Sequence, residues 1–383
     1  MTPARSVLLA SGPGFTGMFL LFAVLPVLGS RSLGVVGAGL ATTAFMATTV
    51  ATQLLVPALL ARVRPATLFA VSLLLLGIPA VAYLWELPAW AFLAITAVRG
   101  VGFGLLTIVS VSLAAHYADP LRQGAAQGAL GLVTSLSGVV TPGVGLWLLD
   151  SFGRTLPVAL GVVIPLIGLS VLGPIQRTST APVSKRTDRH HPDHRRVPMS
   201  LFIPIVVFLP SAVVYGALYT FLPLESAVAP LALIGVGLGY VLGRSTGGRL
   251  VDRFSMGRVL LPATAISGVA ILILGVVSVD IIDVAMATVL GATVGAAGTA
   301  SLTGMLHRVE PARFGVVSMS WNMTFDGGIL VSGVLVGVIV AGAGFTVAMI
   351  VLTAWLAAMV ILGLSTLHLF LRHSIRTVPA VVD

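Results

Sequence analysis

His116-Tyr117-Ala118-Asp119-Pro120-Leu121-Arg122-Gln123-Gly124 and His307-Arg308-Val309-Glu310-Pro311-Ala312-Arg313-Phe314-Gly315 are two copies of one pattern, H-x-x-(D/E)-P-x-R-x-G. They start at positions 116 and 307, 191 residues apart in a chain of 383. An offset of half the chain makes the protein two copies of one unit. The same offset relates Gly100 and Gly104 to Gly291 and Gly295, Arg62 to Arg253, and Leu59 to Leu250. Further upstream, Leu25-Pro26-Val27 aligns with Leu222-Pro223-Leu224 once a few residues are lost from a loop of the second copy.

Composition places the repeat in a membrane. Hydrophobic residues make up 57% of the chain and charged residues 9%, too little polar surface to cover a water-soluble globule. The chain contains no cysteine, which excludes disulfides, thiolate metal sites and a cysteine nucleophile. The net charge of +9 is scattered at the ends of apolar runs rather than gathered on one face, so it reads as membrane topology and not as a nucleic-acid surface. Arg5 precedes a long apolar run without an A-x-A cleavage site, which reads as a first span rather than a removable signal.

A helix needs about 20 apolar residues to cross a hydrocarbon core. Twelve such segments are expected: 8–29, 34–60, 66–84, 88–115, 125–149 and 155–175, then 200–223, 230–251, 258–279, 283–305, 315–340 and 344–371. The expected fold is therefore an all-α membrane protein of two parallel six-helix bundles, residues 1–175 and 200–383, joined by a basic linker at 176–199. One set of loops carries Arg62, Arg64, Arg122, Arg253, Arg258, Arg308, Arg313 and the linker's basic residues, with Arg5, Arg372 and Arg376 on the terminal segments. The opposite loops hold only Arg31 and Arg154, beside Glu86, Asp150, Glu225, Asp280 and Asp283. Positive charge stays inside, so both termini are expected in the cytoplasm. The cluster His190, His191, Asp193 and His194 lies in the linker and reads as solvated chain rather than as a metal site.

Several motifs sharpen this picture. Gly248-Arg249-Leu250-Val251-Asp252-Arg253-Phe254-Ser255-Met256-Gly257-Arg258 resembles the G-x-L-x-D-R-x-G-R-R loop of the major facilitator superfamily of secondary transporters. The corresponding stretch of the first half, Pro57 to Arg62, has Ala61 where the acid belongs. Arg99, in Val98-Arg99-Gly100-Val101-Gly102-Phe103-Gly104, resembles the family's fourth-helix arginine motif, which the resemblance ties to proton-linked transport. In span five, Gly128, Thr141-Pro142 and Gly145 match part of the family's antiporter motif, whereas Ser137, Thr141 and Leu146 replace its glycines. The resemblance implies alternating access by two halves around a midplane site, without a cofactor or metal.

Charge inside a span costs roughly 2.5–3.5 kcal/mol at the helix centre, so each charged residue there requires a reason. Arg99, Arg244 and Asp326 qualify, and their partners at the repeat offset are Leu290, Gln53 and Ser135. An architectural need would appear in both copies. These charges do not, which favours function. Asn322, the chain's single asparagine, lies one turn before Asp326, and Ser318 continues that face. An acid in a poorly hydrated pocket can load and release protons; arginines there act as fixed counter-charges. The proton-coupling set is thus Asp326, Arg99 and Glu225. The substrate cavity is expected from Asn322, Ser318, Arg244, Tyr215, Tyr219, Phe103 and Gln53, and the cytoplasmic gate from Asp252, Arg253 and Arg258. Gly235, Gly239, Gly243 and Gly247 form a stripe that lets another helix approach closely, either as packing or as a sliding surface between the halves.

Together these readings describe a proton-coupled exporter of small organic molecules in a bacterial inner membrane, acting as a monomer with substrate, protons and lipid as partners. Two other readings stay open: an uptake symporter or facilitator for a sugar, organic acid or similar metabolite, and a non-transporting scaffold or sensor. An enzyme is not expected, because no phosphate loop, metal pair or nucleophile elbow is present.

Overall fold

The computed structural model describes residues 2–118, 123–173, 175, 202–310 and 313–366. The linker, Asp119, Arg122, Pro311, Arg372 and Arg376 lie outside these residues. Within them the chain is helical: α1 (Pro3–Phe22), α2 (Val24–Leu60), α3 (Pro65–Gly77), α4 (Ala89–Tyr117), α5 (Gln123–Phe152), α6 (Thr155–Ile167), α7 (Phe202–Glu225), α8 (Ala229–Arg253), α9 (Met256–Val276), α10 (Asp280–Leu306), α11 (Phe314–Ala343) and α12 (Phe345–Ser365). Short 3-10 stretches extend α3 over Ile78–Leu84 and α6 over Gly168–Val171.

Among the described residues, nine helical segments are long and apolar enough to cross a membrane. The first covers Pro3–Leu60 and so contains two of the expected spans. Pro26 lacks an N–H for the carbonyl of Phe22, and the helix slips at Ala23 there. The reversal itself comes at Leu33 and Gly34, whose φ of +63° only glycine adopts freely. Two further expected spans fall short of the nine for separate reasons. The helix at Thr155–Val171 is short, and α8 loses hydropathy to its glycines and to Arg244, Arg249 and Arg253.

Short connections make successive helices antiparallel, so the loops divide between a basic side and an acidic side. One apolar core runs through both halves and includes Phe22, Phe45, Leu218 and Phe221. The second half has its own smaller core at its basic end, built from Phe208, Val251, Leu260, Met305 and Trp321. The halves thus share packing toward the acidic side and part toward the basic one.

The repeat is visible in the packing. A side chain at Gly100 would strike the carbonyl of Phe45, and one at Gly104 the carbonyl of Thr49. In the second half Gly291 faces the carbonyl of Val236 and Gly295 that of Tyr240. All four pairs obey the 191-residue offset, so the repeated glycines mark the close crossing of α4 on α2 and of α10 on α8. The stripe Gly235, Gly239, Gly243 and Gly247 meets Thr288, Ala292 and Ala296 of α10. It is therefore packing within one half, not a surface on which the halves slide.

Candidate substrate and coupling site

The site forms where α2 and α11 cross between the halves. Toward the acidic side, Gly39 and Gly333 bring the two backbones into contact. The hydroxyls of Thr42 and Thr220 then share a hydrogen bond of 2.8 Å, and Thr43 Oγ1 donates to the carbonyl of Leu330 at 3.3 Å. About 16 Å further along α2 at the helical rise, Gln53 Nε2 donates to Asp326 Oδ2 at 2.7 Å and to Thr107 Oγ1 of α4 at 3.3 Å. Asp326 and Gln53 are both buried. Among the described residues the single ion pair is Arg154 with Glu86, at 3.0 Å on the acidic side. Asp326 is therefore a buried acid whose described partner is a neutral amide.

The amide makes this an adaptable pair. Gln53 Oε1 is buried without a hydrogen-bond donor. A charged Asp326 accepts from the amide nitrogen, whereas a protonated one would donate to the amide oxygen after the amide turns over. One side chain can satisfy both states of the acid.

Aromatic rings line the second half beside this pair. Tyr215 Oη donates to Tyr219 Oη at 3.2 Å, and the Tyr215 ring lies 5.3 Å from those of both Tyr240 and Phe325. Phe325 stacks on Trp321, which stacks on Phe208. Arg244 Cζ sits 5.7 Å from the Tyr240 ring, a cation–π arrangement that holds its charge near this wall. Tyr219 touches Phe22 of the first half, and Phe22 leads through Phe45 to Phe103 and Phe15. Phe103 is thus buried inside the first half, with two rings, Phe45 and Phe22, between it and Tyr219. Asn322 is exposed and donates to Ser318 O at 2.9 Å on its own helix, and Ser318 is half-buried. Arg244 is exposed as well.

The structure does not bring the three residues of the expected coupling set together. Arg99 is fully buried in the first half, where its Nε donates to Leu76 O at 3.0 Å and its guanidinium lies over Tyr83. In the 3-10 stretch after α3, that carbonyl would look to Pro79, which has no N–H. Arg99 supplies the missing donor, while its Nη1 and Nη2 find no acceptor. Glu225 lies at the acidic end of α7, about 15 Å from the level of Tyr215 at the helical rise. With Asp150 and Ser226 it lines a cleft of about 300 Å³ between the halves.

Asp252, Arg253 and Arg258 occupy the basic edge of α8 and α9 and are exposed. None of them forms an ion pair with another described residue. Ser255, between them, has φ 122° and ψ 155°, a region open in practice only to glycine. The resembling loop motif has glycine at that place.

Sequence reasoning left Thr107 and Tyr240 outside the site. Tyr240 carried a signal, since it lies one turn before Arg244. A lone threonine in an apolar helix carries none.

A family profile described as Major Facilitator Superfamily matches residues 7–332. No curated protein sequence matches the chain. Among solved structures, a bacterial homolog of the human lysosomal transporter Spinster, in an inward-facing and unoccupied conformation, is similar with a TM-score of 0.79 at 15% identity, over 99% of this chain and 98% of its own. The nucleoside transporter NupG gives 0.75 at 11% identity over 96% and 99%. The POT family transporter PepTSo gives 0.78 at 10% identity over 98% and 99%. At these identities the likeness concerns the fold.

Proposed function

We propose, from the premise that this chain belongs to the major facilitator superfamily, that it is a proton-coupled exporter of small organic molecules. It is a multi-pass membrane transporter and not an enzyme. In the proposed arrangement α1 to α12 supply twelve crossings in two halves, 1–175 and 200–383, with the linker 176–199 and both termini on the cytoplasmic side of a bacterial inner membrane. The protein acts as a monomer.

The observation that carries this reading is the buried Asp326 at the seam between the halves, hydrogen-bonded across it to Gln53. A proton arriving at Asp326 removes a charge from the seam and reverses the Gln53 amide, which also touches Thr107. Substrate would sit against Tyr215, Tyr219, Tyr240 and Phe325, with Asn322, Ser318 and Arg244 as polar contacts on the basic side. The accessible Arg244 and Asn322, together with contacts gathered toward the acidic side, support a state open to the cytoplasm. Arg99 then acts as a positioning residue for the end of α3. Glu225 and Asp150 form an outer acidic vestibule, and Asp252, Arg253 and Arg258 close against the other half in the opposite state. Export is favoured over uptake by the part of the antiporter motif that span five retains. Gly145 of that motif packs on Leu20, and the adjacent Gly143 on Pro230 and Ile234 of the second half.

The test expresses wild type and Asp326→Asn in an efflux-deficient bacterium and profiles the medium and tolerance to a panel of toxic compounds. A compound that leaves only wild-type cells, and less so when the proton gradient is collapsed, supports the reading. Equal profiles with both proteins present in the membrane would overturn it.

A further inference from the structure

We propose that the membrane-facing groove between α8, α9 and α10 holds an acyl chain of an anionic phospholipid, with the headgroup on Arg258 and Arg253. This rests on the multi-pass membrane placement and is independent of the coupling chemistry at Asp326.

The groove has a volume of about 610 Å³. Leu242, Leu250, Phe254, Val259, Pro262 and Ile266 supply most of its wall. Its hydroxyls are already occupied: Thr246 Oγ1 donates to Leu242 O at 2.8 Å, and Thr293 Oγ1 donates to Val289 O at 3.0 Å while accepting from Ser267. The wall therefore offers a ligand no free hydroxyl donor. The concavity follows from the helix crossing, because Gly243 lies directly on Ala292 and the pair carries no side chain larger than a methyl to fill the space above.

Length and charge identify the occupant. From Leu242 to Phe254 the groove follows α8 for about 18 Å at the helical rise, close to half of a hydrocarbon core of about 30 Å. One leaflet's acyl chain has that reach. Arg258 lines the groove at its basic end, and Arg253 Cζ lies 5.4 Å from the ring of Phe254, which lines it too. Asp252 shares this edge but is within ion-pair distance of neither arginine. An apolar slot one leaflet deep, ending in two cations that no carboxylate among the described residues pairs with, matches a single amphiphile with a negative head. A flat helix face of a second copy would leave both the depth and the charges unused.

The experiment exposes the purified full-length protein in detergent to equimolar phosphatidylglycerol and phosphatidylcholine and reads retained lipid by native mass spectrometry. Wild type is expected to retain phosphatidylglycerol preferentially. Arg258→Gln should cut that preference about fivefold, as one basic group near an anionic surface implies, and Arg258→Lys should restore it. Thr246→Trp, which fills the slot without touching the arginines, should lower retention of both lipids. An unchanged lipid ratio in Arg258→Gln, undiminished retention in Thr246→Trp, or a dimer that Thr246→Trp abolishes would each overturn the proposal.

Discussion

The two seams between the halves, α2 against α11 and α5 against α8, are counterparts under the 191-residue repeat, yet they are built differently. Near the acidic side they match. Gly39 meets Gly333 in one, and Gly143 meets Pro230 in the other, where Pro230 is the repeat counterpart of Gly39. Further toward the basic side the α2/α11 seam stays closed through Gln53 and Asp326. At the corresponding level of the other seam stand Arg244 and Ser135; Arg244 is exposed, and Leu132 and Leu136 are 64% and 71% exposed. Duplication supplied one scaffold, and divergence at two repeat-related pairs, Ser135/Asp326 and Gln53/Arg244, put the acid in one seam and the fixed cation in the other. A titratable group works where it is held in contact across the seam, so the proposed coupling chemistry is assigned to α2/α11.

Asp326→Asn should break that asymmetry most strongly. One proton moved through 100 mV supplies about 2.3 kcal/mol, roughly a fiftyfold gradient. In proteoliposomes the variant should lose this accumulation while substrate still equilibrates; retained accumulation would move the coupling role elsewhere. Next comes Gly39→Val, whose side chain would strike the carbonyl of Gly333. Overpacking of about 2 kcal/mol should open the acidic end of the α2/α11 seam. Because the chain lacks cysteine, spin labels at Val36 and Val338 can read the lengthened distance without background, and an unmoved distance would mean the contact does not hold the seam.

Smaller effects test the second half alone. Ser255→Gly should relieve its left-handed backbone and stabilise the protein by about 1 kcal/mol, seen as a higher thermal midpoint in detergent. Its first-half counterpart, Arg64, has an ordinary φ of −60°, so Arg64→Gly should bring no such gain. The smallest change is expected from Ser135→Asp, which gives Arg244 an acid in the α5/α8 seam. An accessible pair of about 0.5 kcal/mol should roughly double the population closed on the basic side, read as a shorter Leu132–Ser245 label distance.

Much of the fold was legible because burial in lipid leaves a strong periodic signal. The apolar segments and the glycine pairs at 100/104 and 291/295 have direct structural counterparts, whereas the middle of each repeat block lies outside the described residues. Hydropathy was weaker where close packing replaced bulk, as in α8, whose glycines serve the crossing with α10. Of the site, Asp326 was legible as a charge out of place, and Gln53 as the repeat counterpart of Arg244. That these two residues face each other was not, since neither their spacing nor the offset relates them. Arg99 illustrates the converse. It too is a charge inside a span, yet its partners are Leu76 and Tyr83 within its own half.

The sequence by itself determined the class of molecule: a duplicated, helical, membrane-spanning chain with an acid in its eleventh helix. Local composition and helical periodicity carry that information, because each segment must meet the same solvent along its whole length. The tertiary structure alone decided which charges meet. Contact between helices far apart in sequence depends on how side chains interlock at the crossings, and at 53 and 326 that interlocking set an amide, not an arginine, against the buried acid.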